Sequence, residues 1–153
     1  MEVFRITHKK WSNCLSGSGF AARWNSQGIH IVYTADSRAL ACLENIVHRE
    51  SKDLHLFFIL MRIMIPPELK IIEILPGDLP DKWYYANEKA YKLCRPFGDL
   101  WIKSSDSAVL KVPSAIIPGE FNYLINPAHE DFKHISIISE ESFFFDERIK
   151  EKE

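Results

Sequence analysis

Gly19-Phe20-Ala21-Ala22-Arg23-Trp24-Asn25 is followed by Ile31-Val32-Tyr33-Thr34-Ala35 and then by Leu43-Glu44. Arginine, tyrosine and glutamate thus arrive ten or eleven positions apart, each in or beside an apolar segment. Residues 9–20 are rich in Ser, Gly and Asn and read as a loop. Residues 29–34 are β-branched and read as a strand. Asp36 or Ser37 then offers an N-cap. Over residues 38–49 the spacing puts Ala39, Leu40, Leu43, Ile46 and Val47 on one helical face, with Glu44 at its edge. Charged side chains seldom enter apolar surroundings unpaired, so Arg23 and Glu44 are expected to face one polar cleft.

Outward from that stretch, residues 2–7 alternate well enough for an opening strand. Residues 56–65 and 70–75 read as strands, the first ending at Pro66-Pro67. Residues 87–94 read as a helix stopped by Arg95-Pro96, and 98–104 as a second short helix carrying Trp101. Further strands are expected at 108–112, 115–117, 123–125, 135–139 and 143–145. Strands outnumber helices and no βαβα alternation appears. The expected class is therefore α+β, a mixed or antiparallel sheet core with flanking short helices. Residues 1–148 are read as one domain and 149–153 as a charged, frayed tail.

Composition removes several functions. A net charge of −2 argues against a nucleic-acid or anionic-membrane partner, both of which favour basic patches. The longest apolar run, 54–65, is interrupted by His55 and Arg62 and is too short to span a bilayer. Three widely spaced cysteines form no C-x-x-C pair, so no zinc ribbon or redox motif is expected. With no N-terminal signal segment evident, reduced thiols and a cytoplasmic location are expected. Six histidines show no metal-ligand spacing, and no P-loop, G-x-G-x-x-G or G-x-S-x-G occurs. No metal is expected.

A second cluster, Val112-Pro113-Ser114 and Asn122-Tyr123-Leu124-Ile125-Asn126-Pro127, adds a serine and an asparagine in apolar company. With Arg23, Tyr33 and Glu44 it reads as a nucleotide-handling site. By spacing alone Arg23 reads first as a surface or structural ion pair, while its bidentate fork also suits phosphate. Tyr33 serves as a core aromatic or stacks a flat ring. Ser114 and Asn122 are also ordinary turn residues. Spacing alone yields a polar cleft and no reaction.

The chain resembles the RES-domain toxins of bacterial toxin–antitoxin pairs over nearly its whole length. The resemblance rests on Val3-Phe4-Arg5-Ile6, Ala22-Arg23-Trp24-Asn25-Ser26-x-Gly28, Val32-Tyr33-Thr34-Ala35 and Ala41-Cys42-Leu43-Glu44. It continues through Asp78-Leu79-Pro80-x-x-Trp83, Gly98-Asp99-x-Trp101, Val109-Leu110-x-Val112-Pro113-Ser114, Asn122 to His129, and Asp146-x-Arg148. Ala21-Ala22 departs from the pattern, which commonly has glycines before the arginine.

The resemblance implies an ADP-ribosyltransferase-like fold and cleavage of the nicotinamide–ribose bond of NAD⁺. NAD⁺ is then substrate rather than cofactor, with inorganic phosphate as an alternative co-substrate to water. Glu44 would stabilise the oxocarbenium-like ribose. Arg23 would hold pyrophosphate or incoming phosphate, Tyr33 would pack on nicotinamide or ribose, and Ser114 would hydrogen-bond ribose or phosphate. Arg5 and Asn122 are further ligand candidates. The implied partners are an Xre-type antitoxin and a second copy of the chain. Transfer of ADP-ribose to a protein and an inactive antitoxin-binding module are the alternatives. An RNA-cleaving toxin is disfavoured by the acidic net charge.

Overall fold

A computed structural model describes residues 1–50, 53–54 and 56–149. The expectations for His55 and for residues 150–153 of the tail lie outside them. In chain order come β1 (Glu2–His8), β2 (Val32–Ala35), α1 (Arg38–His48), β3 (Phe58–Met64), β4 (Ile71–Glu73), α2 (Glu88–Ser104), β5 (Val109–Pro113), β6 (Phe121–Ile125) and β7 (Ser136–Phe143). The strands form one sheet in the order β4-β5-β6-β2-β1-β3-β7. Only the β4–β5 pair is parallel. The mixed sheet with two helices is the class expected from the sequence.

Both helices cover one face of this sheet. Residues paired across strands share a face, and Tyr33 pairs with Leu124, which pairs with Leu110. Leu110, Val112 and Leu124 pack with Cys94 and Trp101 of α2. Farther along, Ile6, Ala35, Phe58 and Leu60 pack with Leu40 and Ala41 of α1. The opposite face buries Val3, Val32, Met61, Ile63, Val109 and Ile125 beside Ile135. β1 and β2 register only at Phe4 with Ala35, so the sheet is loosely joined at its centre. A cavity lies there, between the two helices.

The helix ends follow capping rules. Ser37 accepts the amide of Leu40 and Asn87 that of Ala90. In α1 the buried stripe is narrower than expected: Leu40 and Ala41 are buried, whereas Ala39 and Val47 lie exposed.

Three expectations need correction. The helices expected at 87–94 and 98–104 are one, because α2 runs through Pro96. The proline sits on the exposed side with Lys92, so water can serve the carbonyl it leaves unpaired, while buried Cys94, Gly98 and Trp101 anchor both halves. Residues 115–117 form no strand; Ser114 Oγ accepts the amides of Ile116 and Ile117, each at 3.1 Å, and bends the chain there. Residues 136–143 are one strand, β7, where two short ones were expected.

Candidate functional site

A cavity of about 680 Å³ opens at the strand junction, within the usual range for a small-molecule site. Its walls include Arg5, Arg23, Tyr33, Glu44 and Asn122, five of the six residues singled out from sequence. Ser114 stands just behind the wall, in contact with Glu44. A smaller cavity of about 160 Å³ adjoins it and shares Arg5, Phe20 and Tyr33.

Glu44 is the anchored centre. Asn122 Nδ2 donates to its Oε1 at 2.7 Å, and Ser114 Oγ donates to the same oxygen at 3.4 Å. The helix thus delivers the carboxylate and two neighbouring strand ends fix it. Asn122 Oδ1 is buried with no hydrogen-bond partner. Ser114 does three things at once, since its oxygen also accepts two backbone amides. Ser114→Ala should therefore cost about 1–3 kcal/mol, because two amide donors lose their acceptor. A urea unfolding midpoint unchanged from wild type would contradict that account.

The two arginines have different duties. Arg23 donates to the carbonyl of Trp83 and, at 3.2 Å, to that of Tyr85. Its guanidinium also lies 4.4 Å over the Tyr91 ring. Arg23 is thus largely engaged in tethering the segment around Trp83 to the cavity rim. Arg5 is half-buried, and among the described residues its side chain makes one hydrogen bond, from Nη1 to the carbonyl of Ser16 at 2.9 Å. Among the described residues no carboxylate pairs with it. Burial lowers its pKa, partly offset by the nearby Cys14, yet a guanidinium stays charged. A half-buried cation that lines two cavities and pairs with no described carboxylate suits an anionic ligand better than Arg23 does.

Tyr33 presents its ring to both cavities, while its hydroxyl is engaged behind them. That hydroxyl donates to Asn25 Oδ1 at 2.7 Å and accepts from the Trp24 amide at 3.2 Å. Burial pushes its pKa far up, so it remains a donor. Asn25, itself buried, donates to the carbonyls of Phe20, Ser26 and Ile29. The loop that carries Arg23 is therefore rigidly shaped by Asn25 and Tyr33.

Among the titratable residues that line the cavity, sequence reasoning missed His48, Arg49 and Tyr91. His48 was legible, being four residues beyond Glu44 on the same helix; its Nε2 lies 3.8 Å from Glu44 Oε2. Tyr91 carried no signal, because its link to Arg23 spans two distant elements. Among the described residues no group of three His, Cys, Asp or Glu side chains could hold a metal ion. None of the described helices is long and apolar enough to cross a membrane.

Fold and site define a small α+β domain whose helices flank a cleft lined by a fixed carboxylate and a half-buried guanidinium. The chain belongs to the RES-domain family, whose model matches residues 2–146. It is 44% identical over 143 residues to a "Prs ADP-ribosylating toxin" of Sphingobium sp. (strain YBL2), covering 90% of this chain and 88% of that one. It is 33% identical over 155 residues to a "Toxin Res" of Yersinia enterocolitica, covering 98% of this chain and all of that one. Among solved structures it resembles a chain of the M. tuberculosis MbcT–MbcA toxin–antitoxin complex, with a TM-score of 0.75 at 18% identity. That likeness covers 94% of this chain and 84% of the other and concerns the fold.

Proposed function

We propose that this chain is the toxin of a toxin–antitoxin pair and cleaves the nicotinamide–ribose bond of NAD⁺ in the Glu44 cleft. The observation that carries this reading is the anchored Glu44 carboxylate lining one cavity with the half-buried Arg5 guanidinium, which pairs with no described carboxylate. Nicotinamide leaves as a neutral base, so the reaction needs no general acid. It needs stabilisation of the positive charge developing on ribose, and a carboxylate held on one oxygen with the other free supplies that. Arg5 takes the pyrophosphate, the Tyr33 ring packs against nicotinamide or ribose, and Ser114 and Asn122 act through Glu44. Arg23 contributes by holding the wall.

The curated relatives named as toxins support the growth-arresting role. An Xre-type antitoxin as partner, a self-paired toxin and a cytoplasmic site of action belong to this proposal. A second reading, transfer of ADP-ribose to a protein, is favoured by the name of the Sphingobium relative. Both readings break the same bond and differ in the acceptor.

The test is nicotinamide release from NAD⁺ by the purified chain, with and without phosphate, and with labelled NAD⁺ in the presence of cell protein. Release in buffer alone supports hydrolysis, phosphate dependence supports phosphorolysis, and label retained on protein supports transfer. No release and no label in any arm would overturn the proposal. Arg5→Ala should raise the Kd for NAD⁺ about tenfold or more, as loss of a charge-assisted pair implies. Equal affinities by calorimetry would move the pyrophosphate elsewhere.

A further inference from the structure

Glu44 has two oxygens in different situations. Oε1 receives both anchoring bonds, from Asn122 and Ser114. Oε2 faces His48 Nε2 at 3.8 Å, beyond hydrogen-bond length. Two atoms that far apart can both reach a third oxygen at about 2.8 Å, set to one side of the line that joins them, an ordinary hydrogen-bond separation. His48 lines the same cavity, and its side chain is 59% exposed against 26% for Glu44. It therefore touches the reaction space on one side and bulk water on the other. The proposed reaction creates a need for such a group: an acceptor hydroxyl that attacks ribose must lose a proton, and Glu44 serves better if it stays negative.

We infer that His48 is a catalytic base of this site, taking the proton of the acceptor hydroxyl and passing it to solvent. The inference rests on the proposed cleavage of NAD⁺. The carbon–nitrogen bond breaks and its electron pair leaves with nicotinamide. The acceptor oxygen forms the new bond to the ribose carbon, and its proton moves to His48 Nε2. The resulting imidazolium is held by Glu44 Oε2 until the proton escapes through the exposed ring.

The charged and titratable groups that share the cavity with His48 are Glu44 and Arg49 on α1, Arg5 on β1, Arg23 on the loop before β2, Tyr33 on β2 and Tyr91 on α2. Glu44 carries the negative charge among them and lies within ion-pair distance of His48. A histidine base accepts a proton only in its neutral form, so turnover should fall when acid protonates the imidazole.

The experiment compares wild type, His48→Ala and His48→Gln in nicotinamide release, with water and with added azide as acceptor. Azide is an anion with no proton to lose. His48→Ala and His48→Gln should reduce release in water about 10²-fold, the lower end for loss of a general base. Their rates should lose the wild-type fall in acid, and azide should restore much of the rate. The side chain is exposed, so circular dichroism and NAD⁺ affinity should stay at wild-type values. Variants within twofold of wild type in water would overturn the inference, as would a loss that azide does not repair. An inactive wild type would instead overturn the proposed function itself, and the inference with it.

Discussion

Glu44→Gln should lower nicotinamide release about 10²–10³-fold while leaving the unfolding midpoint nearly unchanged, a loss typical of removing one preorganised electrostatic group. The two halves of this expectation have separate causes. The amide oxygen of glutamine can still accept from Asn122 Nδ2 and Ser114 Oγ, the pair that holds Glu44 Oε1. The wall therefore keeps its shape. The cavity-facing atom becomes an NH₂ group, which is neutral and presents donors where the proposed reaction would build positive charge on ribose. Glu44→Asp separates charge from reach, since it keeps the carboxylate but withdraws it by one methylene from both anchors. It should lose activity as well, with poorer stability than the glutamine variant. A glutamine variant that retains near-wild-type release would remove Glu44 from the chemistry and require another stabilising group. A variant that unfolds early would mean that the Glu44 charge, rather than its shape, holds the strand ends together.

How far the sequence foretold this site depended on where each side chain finds its partners. Glu44 was legible because a carboxylate at the edge of an apolar helical stripe is locally anomalous, and the stripe itself came from residues within α1. Tyr33 was legible as an aromatic on a strand, but the use of its hydroxyl was not, since Asn25 had to fold back onto it. Arg23 stood out as a cation in apolar company, yet its partners are carbonyls of Trp83 and Tyr85, some sixty residues away. Backbone carbonyls leave no trace in residue type, so the tethering work of Arg23 was not legible. Pro96 misled for a related reason. Local preference ends a helix there, while buried contacts of Cys94, Gly98 and Trp101 carry it onward. The strand order was beyond sequence reading altogether, and with it the junction of β1 and β2 where the cavity lies.

Gly98→Ala should destabilise the protein by about 3 kcal/mol, the upper part of the usual range for overpacking. On helix preference alone the sign would be the reverse, because alanine inside a helix is favoured over glycine by about 1 kcal/mol. What decides the matter is the space at this position. A Cβ on Gly98 would fall 1.8 Å from the carbonyl oxygen of Trp24 and 2.9 Å from its carbonyl carbon. Both are backbone atoms, so no rotamer change relieves the clash, and α2 must separate from the loop. That loop is clasped on either side of the contact. Asp99 accepts from the Ser26 amide at 2.9 Å, and Arg95 Nε donates to the Ala22 carbonyl at 2.8 Å. Arg23 lies between these two attachments and reaches on to the Trp83 segment. For a chain of this size the destabilisation corresponds to a fall in Tm of about 6–12 °C. Where the variant remains folded, NAD⁺ affinity should fall too, because the displaced loop carries one wall of the cavity. A thermal scan with Tm raised, as helix preference predicts, would show that the loop yields to a methyl group without strain.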